Sequence, residues 1–304
     1  MKSLPRITLL LIAALTSAIS YGQQKVTSIL QILDTKTGEV SVVQEFPYLI
    51  EAPNWTKDGQ WLVYNSGGKI HFISPDGKNT KTIELGKVRN CNNDHVLSAD
   101  GKMIAVSAES EGLRGSRVYV LPIEGGEPRL VTPDAPSFLH GWSPDGKTFC
   151  YCAERNGEYD VYTIPFEGGK ETRLTTAVGL DDGPEYSPDG KYIWFCSVRS
   201  GLMQVFRMKK DGSDQRQMTF DDDLNSWFPH VSPNGKQVAF IAYHKGDLEP
   251  GQHLSNKNVV LRVMTAKGKK LRTVKELFGG QGTINVNSWA PDSRRFAFVS
   301  YRLD

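Results

Sequence analysis

Short runs of alternating apolar and polar residues recur along the chain, and turn-forming residues break them at regular intervals. Lys102-Met103-Ile104-Ala105-Val106-Ser107 and Gln237-Val238-Ala239-Phe240-Ile241 have the period-two pattern of strands that bury one face or both. A further run follows each of these after a short loop, as in Arg117-Val118-Tyr119-Val120-Leu121, Asp160-Val161-Tyr162-Thr163-Ile164 and Gln204-Val205-Phe206-Arg207-Met208. Glycine turns come next, at Gly125-Gly126, Gly168-Gly169, Asp211-Gly212 and Gly268, and then a strand such as Pro128-Arg129-Leu130-Val131. The pattern predicts antiparallel hairpins in tandem.

A turn of the Ser-Pro-Asp-Gly type sets the period. It occurs at Thr56-Lys57-Asp58-Gly59, Ser98-Ala99-Asp100-Gly101, Ser143-Pro144-Asp145-Gly146, Ser187-Pro188-Asp189-Gly190, Ser232-Pro233-Asn234-Gly235 and Ala290-Pro291-Asp292-Ser293. Successive Asp or Asn positions are 42, 45, 44, 45 and 58 residues apart, the length of a four-stranded propeller blade with an insertion in the fifth. Pro presets the backbone, Asp caps the turn, and Gly takes the left-handed conformation at its end. After the sixth turn only Arg295 to Tyr301 remains as a strand, whereas Ser28–Leu33 and Val40–Gln44 form an N-terminal hairpin with no turn before it. That hairpin supplies the two strands missing from the last blade and seals the ring. The expected fold is all-β, a single six-bladed β-propeller over residues 23–304 with four antiparallel strands per blade.

Residues 1–22 read differently. Lys2 and Arg6 precede an apolar run from Ile7 to Ile19 and a small-residue stretch ending at Gly22, the pattern of a cleaved secretory signal peptide. The expected location is therefore periplasmic or extracellular, with no stable membrane insertion after cleavage. With 36 Lys plus Arg against 34 Asp plus Glu, and two of the basic residues in the leader, the mature chain is near neutral, which argues against a nucleic-acid partner. The composition includes 6 Trp, 11 Tyr and 13 Phe, in keeping with strands. Cys91, Cys150, Cys152 and Cys196 match no zinc spacing and read as buried thiols.

In a propeller the innermost strands line a central channel. The segments entering them share one face, here called upper, with the second-to-third-strand connections; the Asp-Gly turns lie on the lower face. Trp55, Trp142, Tyr186 and Trp289 stand three residues before the turn Asp and are expected to pack between blades. Two residues further back are Pro53, Pro184 and Pro229, but His95 and His140 in the second and third blades. Glu185 and His230 stand one position closer to the turn. The upper loops add Asp94, Asp181, Asp182, Asn225, Trp227, Gln281 and Asn285, together with Glu154, Arg155 and Arg199, and the long fifth-blade insertion adds His253. Neutral imidazoles bind metals and shuttle protons, so His95, His140 and His230 are a candidate divalent-cation or acid/base site. His95 and His140 share an offset and are expected to point alike.

Other chemistries lack their motifs: Gly141-Trp142-Ser143-Pro144-Asp145 has no second elbow glycine, and Gly279-Gly280-Gln281-Gly282 leads into no helix. The six turns with their following strands resemble the repeats of the TolB-like propeller family over nearly the whole mature chain, and this resemblance implies a binding module with a cell-envelope protein as partner. The repeats are also similar to those of prolyl-oligopeptidase-type propellers and of oligogalacturonate lyase. The latter similarity implies the alternative of a metal-dependent polysaccharide lyase or glycoside hydrolase, with the three His as ligands and Arg155, Arg199 or Glu185 as catalytic groups. The expectation is a monomer that binds a small molecule, a glycan or an envelope protein at the channel mouth through Asp94, His95, His140, Asp181, Asp182, Trp227, His230, His253, Gln281 and Asn285.

Overall fold

A computed structural model describes residues 25–304, and the expected leader at 1–22 lies outside them. Six antiparallel sheets follow one another along the chain. The first blade is Glu51–Trp55, Leu62–Ser66, Lys69–Ile73 and Thr80–Thr82; the third is Ser137–Trp142, Thr148–Arg155, Glu158–Pro165 and Thr172–Arg173. The fourth and fifth begin at Asp181–Tyr186 and Leu224–Val231 and are built alike. In the second blade Met103–Ser110 pairs with both Val88–Arg89 and His95–Leu97 on its inner side.

The sixth blade is composite. Val26–Asp34 pairs with Arg295–Leu303 in unbroken register from Val26↔Leu303 to Asp34↔Arg295, and Val40–Phe46 forms its outer strand. Its innermost strand is reduced to the bridge Trp289↔Phe296. The ring is thus closed by the two ends of the chain, which leaves no unpaired blade edge between first and last repeats.

Five of the six turns are tied in the same way, and the sixth, which begins with Ala290, keeps only the backbone bond. In the third blade the Ser143 hydroxyl donates to Asp145 Oδ1 at 2.6 Å, and the Gly146 N–H donates to the Ser143 carbonyl at 2.8 Å. The glycine that ends this turn has φ of +74°, which excludes most side chains; in the sixth turn Ser293 takes the same left-handed place at +58°. Aromatic residues then knit the blades. Trp142 packs 4.5 Å from Phe149 and stacks on Phe166, and Trp289 donates its indole N–H to the His230 carbonyl across the fifth and sixth blades. Wholly buried side chains such as Phe149, Phe195 and Phe240 contribute on the order of 1.5–3 kcal/mol each.

The innermost strands are not regular, and this positions the site. A bulge interrupts pairing between Glu51 and Asn54, Leu139 and Gly141, Asp182 and Glu185, and Trp227 and His230. In three of these the residue before the proline is left-handed: Ala52, Gly183 and Phe228, at φ of +55°, +59° and +53°. The second blade has no such bulge, and His95–Leu97 pairs in simple alternation with Ile104–Val106.

Candidate functional site

A cavity of about 660 Å³ occupies the upper end of the channel. Its wall is a ring drawn from one sequence register. Seven residues before each turn Asp or Asn stand Glu51, Asn93, Phe138, Asp182, Trp227 and Asn285, and all but Trp227 line the cavity. In the first, third and fourth blades a bulge follows Glu51, Phe138 and Asp182 in the inner strand, whereas Asn93 and Asn285 reach the wall from loops ahead of their strands. The fifth-blade insertion folds over the same space, contributing Gly251 and His253. His253 is clamped by Trp227 and Phe228, with ring centroids 4.5 and 5.1 Å away. The strap behind it is pinned where the Leu254 carbonyl accepts from Tyr243 Oη at 3.0 Å and from the Gln281 N–H at 3.1 Å.

His140 is the extra residue of its bulge, between Leu139 and Gly141. Its Nε2 is 3.3 Å from Asp182 Oδ1 and 4.0 Å from Asp94 Oδ1, and its ring stacks on Phe228 at 5.6 Å. Burial alone would discharge the imidazole, but the carboxylates of Asp94 and Asp182 outweigh it and raise its pKa to about 9. Asp182 is pulled below the usual carboxylate range, because His140 and His253 overcome the cost of its burial. Asp94 goes the other way: burial raises it to about 6, only partly relieved by His140. Burial also raises Glu51, against the pull of amides from Asn65 and Asn93, and burial lowers His253. The cavity thus contains one imidazolium among three carboxylates, and neither Lys nor Arg is in its wall.

Of the residues expected at the site, Asp94, His140, Asp182, His253, Gln281 and Asn285 line this cavity. The three-histidine metal site is corrected by the geometry, since His95, His140 and His230 do not converge. His95 lies in the unbulged strand and turns into the protein, wholly buried, with its pKa lowered to about 4 by burial. His230 has both ring nitrogens engaged, Nδ1 at 2.7 Å from Glu185 and Nε2 at 2.6 Å from the Ile284 carbonyl. Among the described residues no group of three His, Cys, Asp or Glu is placed to hold a metal ion.

The catalytic candidates are likewise committed elsewhere. Arg155 is paired with Glu171 at 2.8 Å and donates to the Pro136 carbonyl. Arg199 binds Asp181 at 2.7 Å and stacks on Phe206, which turns Asp181 away from the cavity. Glu185 accepts from the Val231 N–H and from Asn287 as well as from His230, bracing three blades. Trp227 is wholly buried behind His253, and Asn225 Oδ1 accepts from the Met203 N–H. Glu51, Asn92, Asn93, Phe138 and Tyr159 belong to the wall without having been singled out in the sequence.

A second cavity, of about 310 Å³, lies at the lower end of the channel, and Trp55, Trp142, Tyr186 and Trp289 border it while also packing between blades. His140 borders both cavities and forms the waist between them.

Fold and site together define a six-bladed propeller with a polar chamber at one mouth of its channel. Residues 134–261 match the TolB β-propeller domain family. An uncharacterised protein of Agrobacterium fabrum is 42% identical over 275 residues, which span 90% of this chain and 92% of that protein. A solved structure from Agrobacterium tumefaciens, provisionally assigned as TolB, superposes with a TM-score of 0.87 at 42% identity, covering 93% of this chain and all of that one. The chain belongs to the TolB-like β-propeller family. TolB of Acinetobacter baumannii has the same fold at a TM-score of 0.63 and 19% identity, over 84% of this chain and 64% of that one. A manganese complex of oligogalacturonate lyase shares the fold at 0.53 and 14%, over 84% and 74%.

Proposed function

We propose that the protein is an exported, periplasmic binding module that docks a cell-envelope partner on its upper face, with the chamber receiving a group that the partner presents. The observation that carries this reading is the rim. Tyr48, Leu49, Leu113, Tyr159, Val178, Phe220 and Leu254 are exposed apolar residues on the upper connections of five successive blades, with Val178 at 88% and Phe220 at 77% exposure. An apolar rim around a polar chamber is the build of a docking surface. Envelope location is supported by the expected leader and by a Tol-Pal system TolB of Francisella tularensis, 25% identical over 115 residues that span 37% of this chain and 26% of that one. Among the described residues no helix is long and apolar enough to cross a membrane.

The lyase or hydrolase alternative draws no support from the site, because Arg155, Arg199 and Glu185 are held in pairs outside the upper chamber. Photo-crosslinking residues placed at Val178 and Phe220 in the native host test the reading against Val42, an exposed residue of the outer strand of the sixth blade. The expected result is a discrete adduct from the first two positions and none from Val42. The same adduct pattern from all three would overturn it.

A further inference from the structure

The chamber carries more negative charge than its own residues neutralise. Glu51, Asp94 and Asp182 all face it, and the single imidazolium of His140 is spent chiefly on Asp182 at 3.3 Å. Asp94 is left 4.0 Å from that ring, beyond hydrogen-bond reach, although its side chain is about 95% buried. Asp94 has the Asn92 side chain beside it but no full counter-charge of its own; a buried carboxylate short of counter-charge is costly, and proteins keep one where something from outside supplies it. One further atom is without a partner: His253 Nδ1 is buried and makes no hydrogen bond. His140 is itself about 95% buried and reaches the chamber wall. The remaining wall includes the aromatic rings of Phe138, Tyr159 and Phe228, and ring faces attract organic cations.

From this we infer that the group received by the chamber is an organic ammonium: the positive charge sits against Asp94 and Glu51, beside the aromatic rings of the wall. The inference deepens the docking reading above and rests on it. A bare divalent ion does not suit the site, because no three ligating side chains converge among the described residues. An acidic sugar does not suit it either, because the wall offers no Lys or Arg. At about 660 Å³ the chamber has the size of a small-molecule pocket. A lysine side chain of a partner and a free quaternary ammonium present the same charge to it.

The test uses matched probes on the mature chain. Choline is compared with 3,3-dimethylbutanol, which has the same shape without the charge, and acetyl-Ala-Lys-Ala-amide with its norleucine counterpart. The expectation is that at least one cationic probe binds with a Kd below about 10 mM, and about tenfold or more tighter than its neutral twin. Choline alone would assign the site to a free cation, and the peptide alone to a partner's lysine. Binding should weaken severalfold from pH 7.5 to 5, as Asp94 takes up a proton with a pKa of about 6. The other titratable groups facing that space are Glu51, His140, Cys152, Tyr159, Asp182 and His253. Asp94→Asn and Glu51→Gln should each lose the preference for charge while the fold melts no earlier. Equal binding of charged and neutral twins, no binding by either cation, or an unchanged preference in both variants would overturn the inference. In all three cases crosslinking at Val178 and Phe220 still decides the docking reading by itself.

Discussion

At the scale of single residues, the His140–Asp182–Asp94 cluster is where stability and binding pull apart. The Asp94 pKa is raised in the folded state, to about 6 from 3.8, so ionising it costs stability as pH rises through that interval. Asp94→Asn should therefore be more stable than the parent above pH 6, by on the order of 2–3 kcal/mol, and the difference should vanish below about pH 4. Urea unfolding at pH 4 and pH 7.5 measures it. His140 has the opposite sign. Its folded pKa of about 9 exceeds the usual 6.5, so its contribution is complete below 6.5 and is lost as pH rises through 9. His140→Ala leaves Asp182 buried without its counter-charge and should cost about 3–5 kcal/mol at pH 6. The penalty should shrink markedly by pH 10, and a pH-independent penalty would mean that the ring is held by packing alone. The shared offset of His95 and His140 suggested a joint role, but an offset reports side-chain direction only while the strand alternates. The bulge at His140 breaks the alternation and the second blade keeps it.

Among the elements, the innermost strands carry the information that the sequence hides. Turn chemistry made the six repeats and the closing hairpin legible, since Asp and Gly at fixed spacing leave few alternatives. The bulges were not legible, because each depends on which neighbours leave room. The ring at seven residues before the turn, Glu51 through Asn285, was available as a pattern of polar residues in four blades, and only the assembled channel shows that they share one chamber. Gly141 tests how tightly the third-blade bulge is built: a Cβ there would lie 2.5 Å from Cys150 Sγ and 2.9 Å from the Pro184 carbonyl. Gly141→Ala should destabilise by about 1–3 kcal/mol and disturb His140 beside it, read as a loss of melting temperature together with a changed His140 imidazole shift. Deleting residues 23–44 removes the strand that pairs with Arg295–Leu303 along its whole length. The shortened chain should aggregate or melt far below the full one, and a monomer with unchanged melting would refute closure by the termini.

Over the whole molecule, the two ends of the channel differ in kind. The lower end is bordered by tryptophans and by the prolines of the turns, residues that already serve packing between blades. The upper end combines an apolar rim with an acidic chamber under a strap from the fifth blade, and this asymmetry is the ground for placing function there. A crystal structure of residues 23–304 grown at neutral pH with whichever cationic probe binds, choline or the lysine peptide, tests that placement most directly. The account predicts ligand density in the upper chamber, with the ammonium between Asp94 and Glu51 and beside the aromatic rings of the wall. An upper chamber containing only water, or density confined to the lower cavity among Trp55, Trp142 and Trp289, would contradict it.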